Sequence, residues 1–251
     1  SKGTDPTTTN LQGHWKFDDG IQSTTITDGD PVTQWQSKEG SRHLFTQETT
    51  SQRPIYRSAP TGFNSQPAID FDGTDDVLKL VLADFQSTAT AGVFFAVFRT
   101  DVTATHQKIL GSGDEALATN AIGLKAQRTG GTVGVQHNDG TWDQVEGSTT
   151  IGSATTYIIM IASSGSAYRI RVNGNDETEN VISGTNSGDW FGDTADVRDN
   201  VTLGCLERTS QSEFLNARLA EVILYSEDKS TANENQVGEY LATRYGGTWT
   251  T

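Results

Sequence analysis

Short apolar runs alternate with clusters of Gly, Asn, Asp and Ser along most of the chain. This pattern predicts many short antiparallel strands. The run Val93-Phe-Phe-Ala-Val-Phe98 is apolar at every position, so we expect a central strand that is buried on both faces. Tyr168-Arg-Ile-Arg-Val172 alternates instead, and the Asn173-Gly174 pair after it is typical of a tight hairpin turn. The same criteria predict strands within 67–72, 77–80, 131–137, 157–161, 201–204 and 218–225.

One helix is predicted near the C-terminus. Ser230 is a suitable N-cap, and Glu234 favours the first turn because it complements the helix dipole. Gly246 is well placed as the residue after the helix end. The apolar face of this helix is formed by Val237, Tyr240, Leu241 and Tyr245. An all-β chain with one short C-terminal helix predicts a two-sheet antiparallel jelly-roll sandwich, with the helix on an edge or an end.

Length and composition favour one domain. Chains of 200–250 residues are common for single sandwiches, and this chain has 251 residues. Residues 1–10 carry no large apolar side chain, so we interpret them as a polar arm or linker before a domain over 11–251.

The charge balance excludes several classes of partner. Lys and Arg number 18 against 32 Asp and Glu, a net charge of −14. Nucleic acids and anionic membranes are bound through basic surfaces, so neither is expected as a partner. No apolar run approaches the ~20 residues of a membrane span, and the single Cys205 excludes an internal disulfide.

Several stretches resemble a known family. Val32-Thr-Gln-Trp-Gln-Ser-Lys-Glu-Gly40 is similar to a V-x-x-W-x-D-x-S-G loop, with Ser37 where the family often has Asp, and Arg53-Pro-Ile-Tyr56 follows at the expected distance. Three later stretches resemble the family's F-D-G-x-D-D/N-x-L strand pair, its L-x-V-N-G hairpin, and its closing strand and helix: 67–78, 168–174 and 220–246. From Leu11 to Gly246 the chain therefore resembles the laminin-G-like branch of the concanavalin A-like lectin/glucanase superfamily.

This resemblance implies a fold and leaves the function open. The family has a jelly-roll of two antiparallel sheets, and its members include sugar-binding modules, adhesion domains, glycosidases, lyases, and domains of phage and viral proteins. One fold can carry many functions, so function must be argued from individual residues.

The motifs of catalysis are missing from the sequence. Glucanases of this superfamily carry E-x-D-x-x-E on one strand, and the chain contains no such triplet. Gln136-His137 is only a partial match to the Gln-x-His strand of alginate lyases. His14, His43, His106 and His137 include no pair at metal-ligand spacing. We therefore predict a protein that is not an enzyme.

Two segments combine aromatic and polar side chains as sugar binding requires. The first is a hairpin tip with His137, Asn138, Asp139 and Trp142. Its alternative interpretation is an ordinary Asn/Asp-Gly turn with the Trp142 ring folded back onto the sheet.

The second segment is the loop that contains Asp189, Trp190, Phe191 and Asp193. Large aromatic residues in a loop either anchor it to the core or form a binding surface. Of these two aromatic residues, Phe191 is the one for which anchoring to the core is favoured. Asp189 and Trp190 are therefore included among the candidate carbohydrate-binding residues. Trp15 and Trp35 lie in framework stretches and are predicted to be core residues.

Calcium is the candidate ion, because it prefers carboxylate and carbonyl oxygens from loops. The candidate ligands are Asp189, Asp193, Asp196 and Asp199, with Asp18 and Asp19 as a second set. The alternative is a solvated acidic surface. We interpret Asp72, Asp75 and Asp76 as residues of a hairpin turn, and Glu221 as a buried acid paired with Arg218 or a backbone amide.

The leading hypothesis is a non-catalytic carbohydrate-binding or adhesion module of an extracellular or virion-surface protein, whose partner is a glycan or cell-surface polysaccharide. A second hypothesis is a structural virion component, such as a capsid decoration, head-fibre or tail protein, that contacts other subunits through its arm. A polysaccharide-degrading enzyme is the third hypothesis, and it requires two carboxyl groups about 5–10 Å apart in a cleft.

Overall fold

The structure is a computed structural model that describes residues 6–17, 26–38, 40–80, 85–102, 105–127, 130–194 and 198–251. The strands are β1 Leu11–Lys16, β2 Gln34–Ser37, β3 Gly40–Thr46, β4 Ile55–Arg57, β5 Ala68–Asp72, β6 Leu78–Leu80, β7 Gly92–Thr100, β8 Gln107–Gly113, β9 Ala121–Gln127, β10 Thr132–Asn138, β11 Trp142–Thr150, β12 Thr156–Ser163, β13 Tyr168–Val172, β14 Asn175–Asp176, β15 Asn180–Ser183, β16 Asn200–Leu203, β17 Leu206–Glu207, β18 Gln211–Ser212 and β19 Asn216–Tyr225. Helix α1 spans Thr231–Tyr245, and short 3-10 turns occur at Thr50–Gln52 and Phe191–Asp193.

The strands form two large antiparallel sheets. The larger sheet has the order β15-β11-β10-β9-β8-β16-β6-β3-β2. The smaller sheet has the order β14-β13-β12-β7-β19-β5-β4, and β1 pairs with β19 next to β5. A separate hairpin of β17 and β18 lies on the outer face of the larger sheet, the face turned away from the core. The predicted all-β sandwich is confirmed.

The main core fills the space between the two sheets. Strand alternation turns Val133 and Val135 inward from β10, and Phe94 and Phe98 inward from β7. Trp15 and Trp35 are fully buried in the same core, as the sequence predicted. The hairpin turn at Asn173-Gly174 is also confirmed, since both residues have positive φ, 52° and 83°.

Helix α1 has the predicted caps but a different position. The Ser230 side chain accepts a hydrogen bond from the Asn233 N–H, and Gly246 ends the helix with φ 69°. The helix lies on the outer face of the smaller sheet, so the prediction of an edge or end position is wrong. The reason is that this face is itself apolar, with Phe95 and Ile223 buried against Leu241 of α1. No helix in the described part of the chain is long and apolar enough to cross a membrane.

Glu221 is buried between this helix and the smaller sheet. A bulge after Leu219 turns both Ala220 and Glu221 toward the helix. The Glu221 carboxylate contacts His14 Nε2 at 2.5 Å, Tyr245 Oη at 2.7 Å and Arg244 Nε at 3.2 Å. The predicted pairing with Arg218 is therefore wrong, because Arg218 pairs with Asp70 and Asp101 instead.

Residues 6–10 pack against the domain. The Thr7 carbonyl accepts a hydrogen bond from Tyr225 Oη at 3.1 Å, and the Thr9 carbonyl accepts one from Lys229 Nζ at 2.8 Å. The Asn10 carbonyl accepts from the Ser226 N–H at 3.0 Å. Residues 6–10 thus contact the end of β19 and the segment before α1, and the division of the chain at residue 10 stays a prediction.

Candidate functional site

The predicted sugar-binding hairpin is β10 and β11, and its residues divide between two faces. Asn138 lies opposite Trp142, and His137 lies opposite Asp143. Neighbouring residues of a strand point to opposite faces, so these two pairs cannot form one surface. Asn138 and Trp142 lie on the outer face of the larger sheet. His137 lies on the inner side with Val133 and Val135, at the open end of the sandwich.

On the outer face, Trp142 contacts an arginine from the β17–β18 hairpin. The Arg208 guanidinium lies 5.2 Å from the centre of the Trp142 ring, a cation–π contact. Its Nη1 donates to the Ala118 carbonyl at 2.8 Å. The side chain crosses the sheet above Gly113, where a Cβ atom would lie 3.0 Å from Arg208 Cγ.

We call this surface the Trp142 ledge and define it as Asn138, Asp139, Trp142 and Arg208. Trp142 is half-buried, Asp139 is exposed, and Asn138 is buried with its Oδ1 accepting from the Gly140 N–H at 2.8 Å. The ledge thus combines an apolar ring edge, the guanidinium of Arg208 and the exposed Asp139 carboxylate, whose Oδ1 accepts from the Thr141 N–H at 3.3 Å. These are the groups that bind a ring carrying hydroxyl groups.

Next to the ledge, the outer face is polar but internally paired. Lys108 reaches across Gly123, and its Nζ contacts Gln136 Oε1 at 2.8 Å and Glu213 Oε2 at 2.7 Å. Burial lowers the pKa of Lys108 from its usual range. Gln144 Nε2 donates to Glu146 Oε1 at 2.8 Å. Because these groups pair with one another, we place the candidate binding surface at the ledge.

On the inner side, three rim residues surround His137. Its side chain is fully buried, neither ring nitrogen has a hydrogen-bond partner in the described residues, and Nδ1 lies 3.8 Å from Asp189 Oδ2. Burial lowers the His137 pKa, which favours a neutral ring. Ser187 Oγ lies 3.1 Å from Asp143 Oδ2 and 2.5 Å from Asp189 Oδ2. The structure therefore places His137 and Asp189 together, and separates both from Trp142.

Trp190 is a core residue. It has no exposed surface, stacks edge-on against Phe191 with ring centres 5.4 Å apart, and donates from Nε1 to Gln86 Oε1 at 3.1 Å. The prediction that Trp190 forms a binding surface is wrong, because its loop closes the open end of the sandwich and its rings fill the gap between the sheets. His137 is likewise too deeply buried to form part of an exposed platform.

The candidate calcium ligands do not converge in the described residues. Asp193 Oδ2 accepts from the Trp190 N–H at 2.7 Å, whereas Asp199 Oδ2 accepts from the Glu115 N–H at 2.8 Å in another loop. Asp18, Asp19 and Asp196 lie outside the described residues.

The one carboxylate trio close enough to share an ion, in the part of the chain that is described, is Asp72, Asp75 and Asp76. Asp72 Oδ1 accepts from the Thr74 N–H at 2.7 Å, and Asp76 Oδ2 accepts from the Asp72 N–H at 2.9 Å. The prediction that this trio serves its hairpin turn agrees with these bonds.

Sequence reasoning missed Arg208. It follows Glu207 in a short hairpin without an aromatic neighbour in sequence, and Trp142 precedes it by more than sixty positions. The contact depends on the row Gly113, Ala121, Asn138 and Trp142 across four paired strands, which no local pattern reveals.

No protein-family model and no curated protein matches this sequence. Among solved structures, the chain is similar to the Ruminococcus gnavus IT-sialidase CBM40, with TM-score 0.54, 15% identity, and coverage of 70% of this chain and 95% of that one. The leech intramolecular trans-sialidase matches with TM-score 0.56 and 14% identity over 73% of this chain. A Trypanosoma rangeli sialidase matches with TM-score 0.57 and 12% identity over 96% of this chain.

These matches concern the fold. They agree with the two-sheet β-sandwich, and membership of the lectin/glucanase superfamily and of its laminin-G-like branch stays a prediction. The chain spans 28% of the leech protein and 34% of the Trypanosoma rangeli protein, so it corresponds to one part of those larger sialidases.

Proposed function

We propose that this chain is a non-catalytic carbohydrate-binding module of an extracellular or virion-surface protein, and that the glycan binds at the Trp142 ledge. The observation that carries the proposal is the combination of the half-buried Trp142 ring with Arg208 and the exposed Asp139. The C–H face of a sugar packs on an aromatic surface, and its hydroxyls require both donors and acceptors beside that surface.

The structural neighbours support a glycan as the partner. The Ruminococcus gnavus module is described bound to α2,3- and to α2,6-sialyllactose. Sialyllactose carries a carboxylate, and a guanidinium binds carboxylates through charge-assisted hydrogen bonds. Arg208 would therefore select acidic glycans over neutral ones at the ledge, which is the substrate preference we propose.

A glycan array tests the proposal. Wild type and Trp142→Ala are compared, with Trp249→Ala as the matched control, because Trp249 is also half-buried and also lies under an arginine, Arg171, at 4.9 Å. We expect Trp142→Ala to weaken binding about tenfold or more and Trp249→Ala to change it less than twofold. Equal losses in both variants, or no bound glycan with wild type, would contradict the ledge as the site.

A second function is favoured by one observation. Asp143 and Asp189 both contact the Ser187 hydroxyl, so two carboxylates lie close together at the rim of the sandwich. Paired carboxylates are the machinery of glycoside hydrolysis. A screen of polysaccharides with wild type and Asp189→Asn decides between the two functions: release of reducing ends that Asp189→Asn abolishes would establish an enzyme.

A further inference from the structure

A cavity of about 480 Å³ lies on the outer face of the smaller sheet, on the opposite side of the sandwich from the Trp142 ledge. Its lining includes Asp28, Arg57, Asp70 and Arg218, together with the segment 58–61. Volumes of about 300–1,000 Å³ are typical of small-molecule sites. The lining has no large apolar side chain, so an apolar ligand would find no matching surface here.

Strand pairing brings the charged side chains together. Asp70 of β5 lies opposite Arg218 of β19, and Arg218 lies opposite Arg99 of β7. The Asp70 carboxylate contacts Arg57 Nε at 3.1 Å and Arg218 Nε at 3.5 Å. Arg218 Nη2 also contacts Asp101 Oδ2 at 3.2 Å. The central carboxylate is thus held between two guanidiniums, and this fixes both of them at the cavity.

The charges at and beside the cavity balance, with Arg57, Arg99 and Arg218 against Asp28, Asp70 and Asp101. Three guanidiniums lie beside the carboxylates of Asp70 and Asp101, and Arg99 has no carboxylate partner in the described residues. Arg99 Nη1 donates to the Thr61 carbonyl at 3.2 Å, and its buried Nε has no hydrogen-bond partner in the described residues. Arg218 is already compensated by Asp70 and Asp101, so open donors, and not an excess of positive charge, are the basis for binding an anion here.

Open hydrogen-bond donors and acceptors lie beside these balanced charges. The terminal nitrogens of Arg57 make no hydrogen bond in the described part of the chain, and the side chain is 38% exposed. Across the cavity, Asp28 Oδ1 accepts from the Ser58 N–H at 2.9 Å and from Ser58 Oγ at 3.3 Å. Asp28 therefore holds Ser58 in place at one side of the cavity, and its Oδ2 is left to accept a hydrogen bond from a ligand.

We propose that this cavity is a second binding site, which takes a small sugar acid. The ligand carboxylate binds the terminal nitrogens of Arg57 and Arg218, because guanidiniums recognise carboxylates with paired, charge-assisted bonds. The ligand hydroxyls donate to Asp28 and Asp70. This site shares no residue with the Trp142 ledge and does not depend on the function proposed for the ledge.

Arg169 provides a comparison with Arg57. It is 39% exposed, as Arg57 is, and its Nη2 contacts Asp228 and Glu234 at 2.7 Å each. Two carboxylates compensate that one guanidinium. Arg169→Ala is therefore the matched control for Arg57→Ala, because the residue type and the exposure are alike but Arg169 Nη2 is already bound to two carboxylates.

The test is a titration of the whole chain with glucuronate, glucose and acetate, followed by two-dimensional NMR. We expect glucuronate to bind wild type at millimolar concentrations, with Kd raised about tenfold or more in Arg57→Ala and less than twofold in Arg169→Ala. Glucose lacks the carboxylate and acetate lacks the hydroxyls, so both should bind at least tenfold more weakly than glucuronate. Raising the salt concentration should weaken glucuronate binding, since the site is open to solvent.

Three results would overturn the proposal: no glucuronate binding at tens of millimolar, equal binding by Arg57→Ala, or equal binding of glucose or acetate. Arg57 is half-exposed on the edge strand β4, so Arg57→Ala should fold normally, and its amide spectrum verifies this. Trp142→Ala should bind glucuronate at this cavity as wild type does. The proposal for the ledge and the proposal for this cavity can therefore be refuted independently of each other.

Discussion

The two candidate tryptophans should respond very differently to truncation. Trp190 is fully buried among Phe191 and the main core, whereas Trp142 is half-buried at the rim. Truncation of a buried tryptophan to alanine costs about 3–5 kcal/mol of unfolding free energy. Trp190→Ala also removes the donor to Gln86 Oε1, which adds about 1 kcal/mol. For Trp142→Ala the loss is about 1 kcal/mol, mainly the contact with Arg208.

Urea unfolding followed by far-UV circular dichroism measures both values without relying on tryptophan fluorescence. With a total cost of about 4–6 kcal/mol and a slope of about 2–3 kcal/mol/M, Trp190→Ala should lower the midpoint by roughly 1.3–3 M at an unchanged slope. Trp190→Phe keeps an aromatic ring but loses the N–H donor. Its urea midpoint should therefore lie between those of the alanine variant and wild type. If Trp190→Ala cost less than about 1 kcal/mol, or no more than Trp142→Ala, the assignment of Trp190 to the core would be refuted.

Three further predictions concern other parts of the fold. Gly92→Ala should destabilise by about 1–3 kcal/mol in the same urea assay, because the new Cβ would lie 2.2 Å from Trp190 Nε1 and 2.6 Å from the Tyr225 carbonyl. Burial raises the pKa of Asp76 to about 7, so its contribution to stability is full below pH 4 and is lost as the pH rises toward 7. Asp76→Asn should therefore flatten the decrease in unfolding free energy between pH 4 and 7, by about 1–2 kcal/mol, and an unchanged pH dependence would exclude this role. Glu221→Ala should cost about 3–5 kcal/mol and lower the melting temperature by roughly 10 °C, because Arg244 would remain buried without its carboxylate; a loss below about 1 kcal/mol would mean that the cluster is solvated.

Local patterns were sufficient for helix α1 and for the eight strands with clear apolar runs, but they predicted no strand at β8, β9 or β11. Ser230 and Gly246 mark both ends of α1, and the continuous apolar run from Val93 to Phe98 identifies a strand that is covered on both faces. The position of the helix required more than local pattern. It depends on which sheet has a second apolar face, and that face is assembled from β7, β12 and β19, which are far apart in sequence.

The candidate site was only partly predictable for the same reason. Period-two alternation already separates His137 from Asn138, but no local signal shows that the loop with Trp190 enters the core. The contact between Arg208 and Trp142 and the charged row from Asp70 to Arg218 both arise from strands that are distant in sequence. Such juxtapositions depend on sheet register, which a single sequence specifies only through the complete fold.

The most direct test of the central claim is to map a bound glycan onto the amide spectrum of the chain. The tightest-binding glycan from the array would be titrated, and the shifted resonances assigned. We predict that the shifts concentrate at 138–142 and at Arg208, and that they disappear in Trp142→Ala. Shifts concentrated around Asp143 and Asp189, with none at 138–142 or Arg208, would contradict the assignment of glycan recognition to the Trp142 ledge.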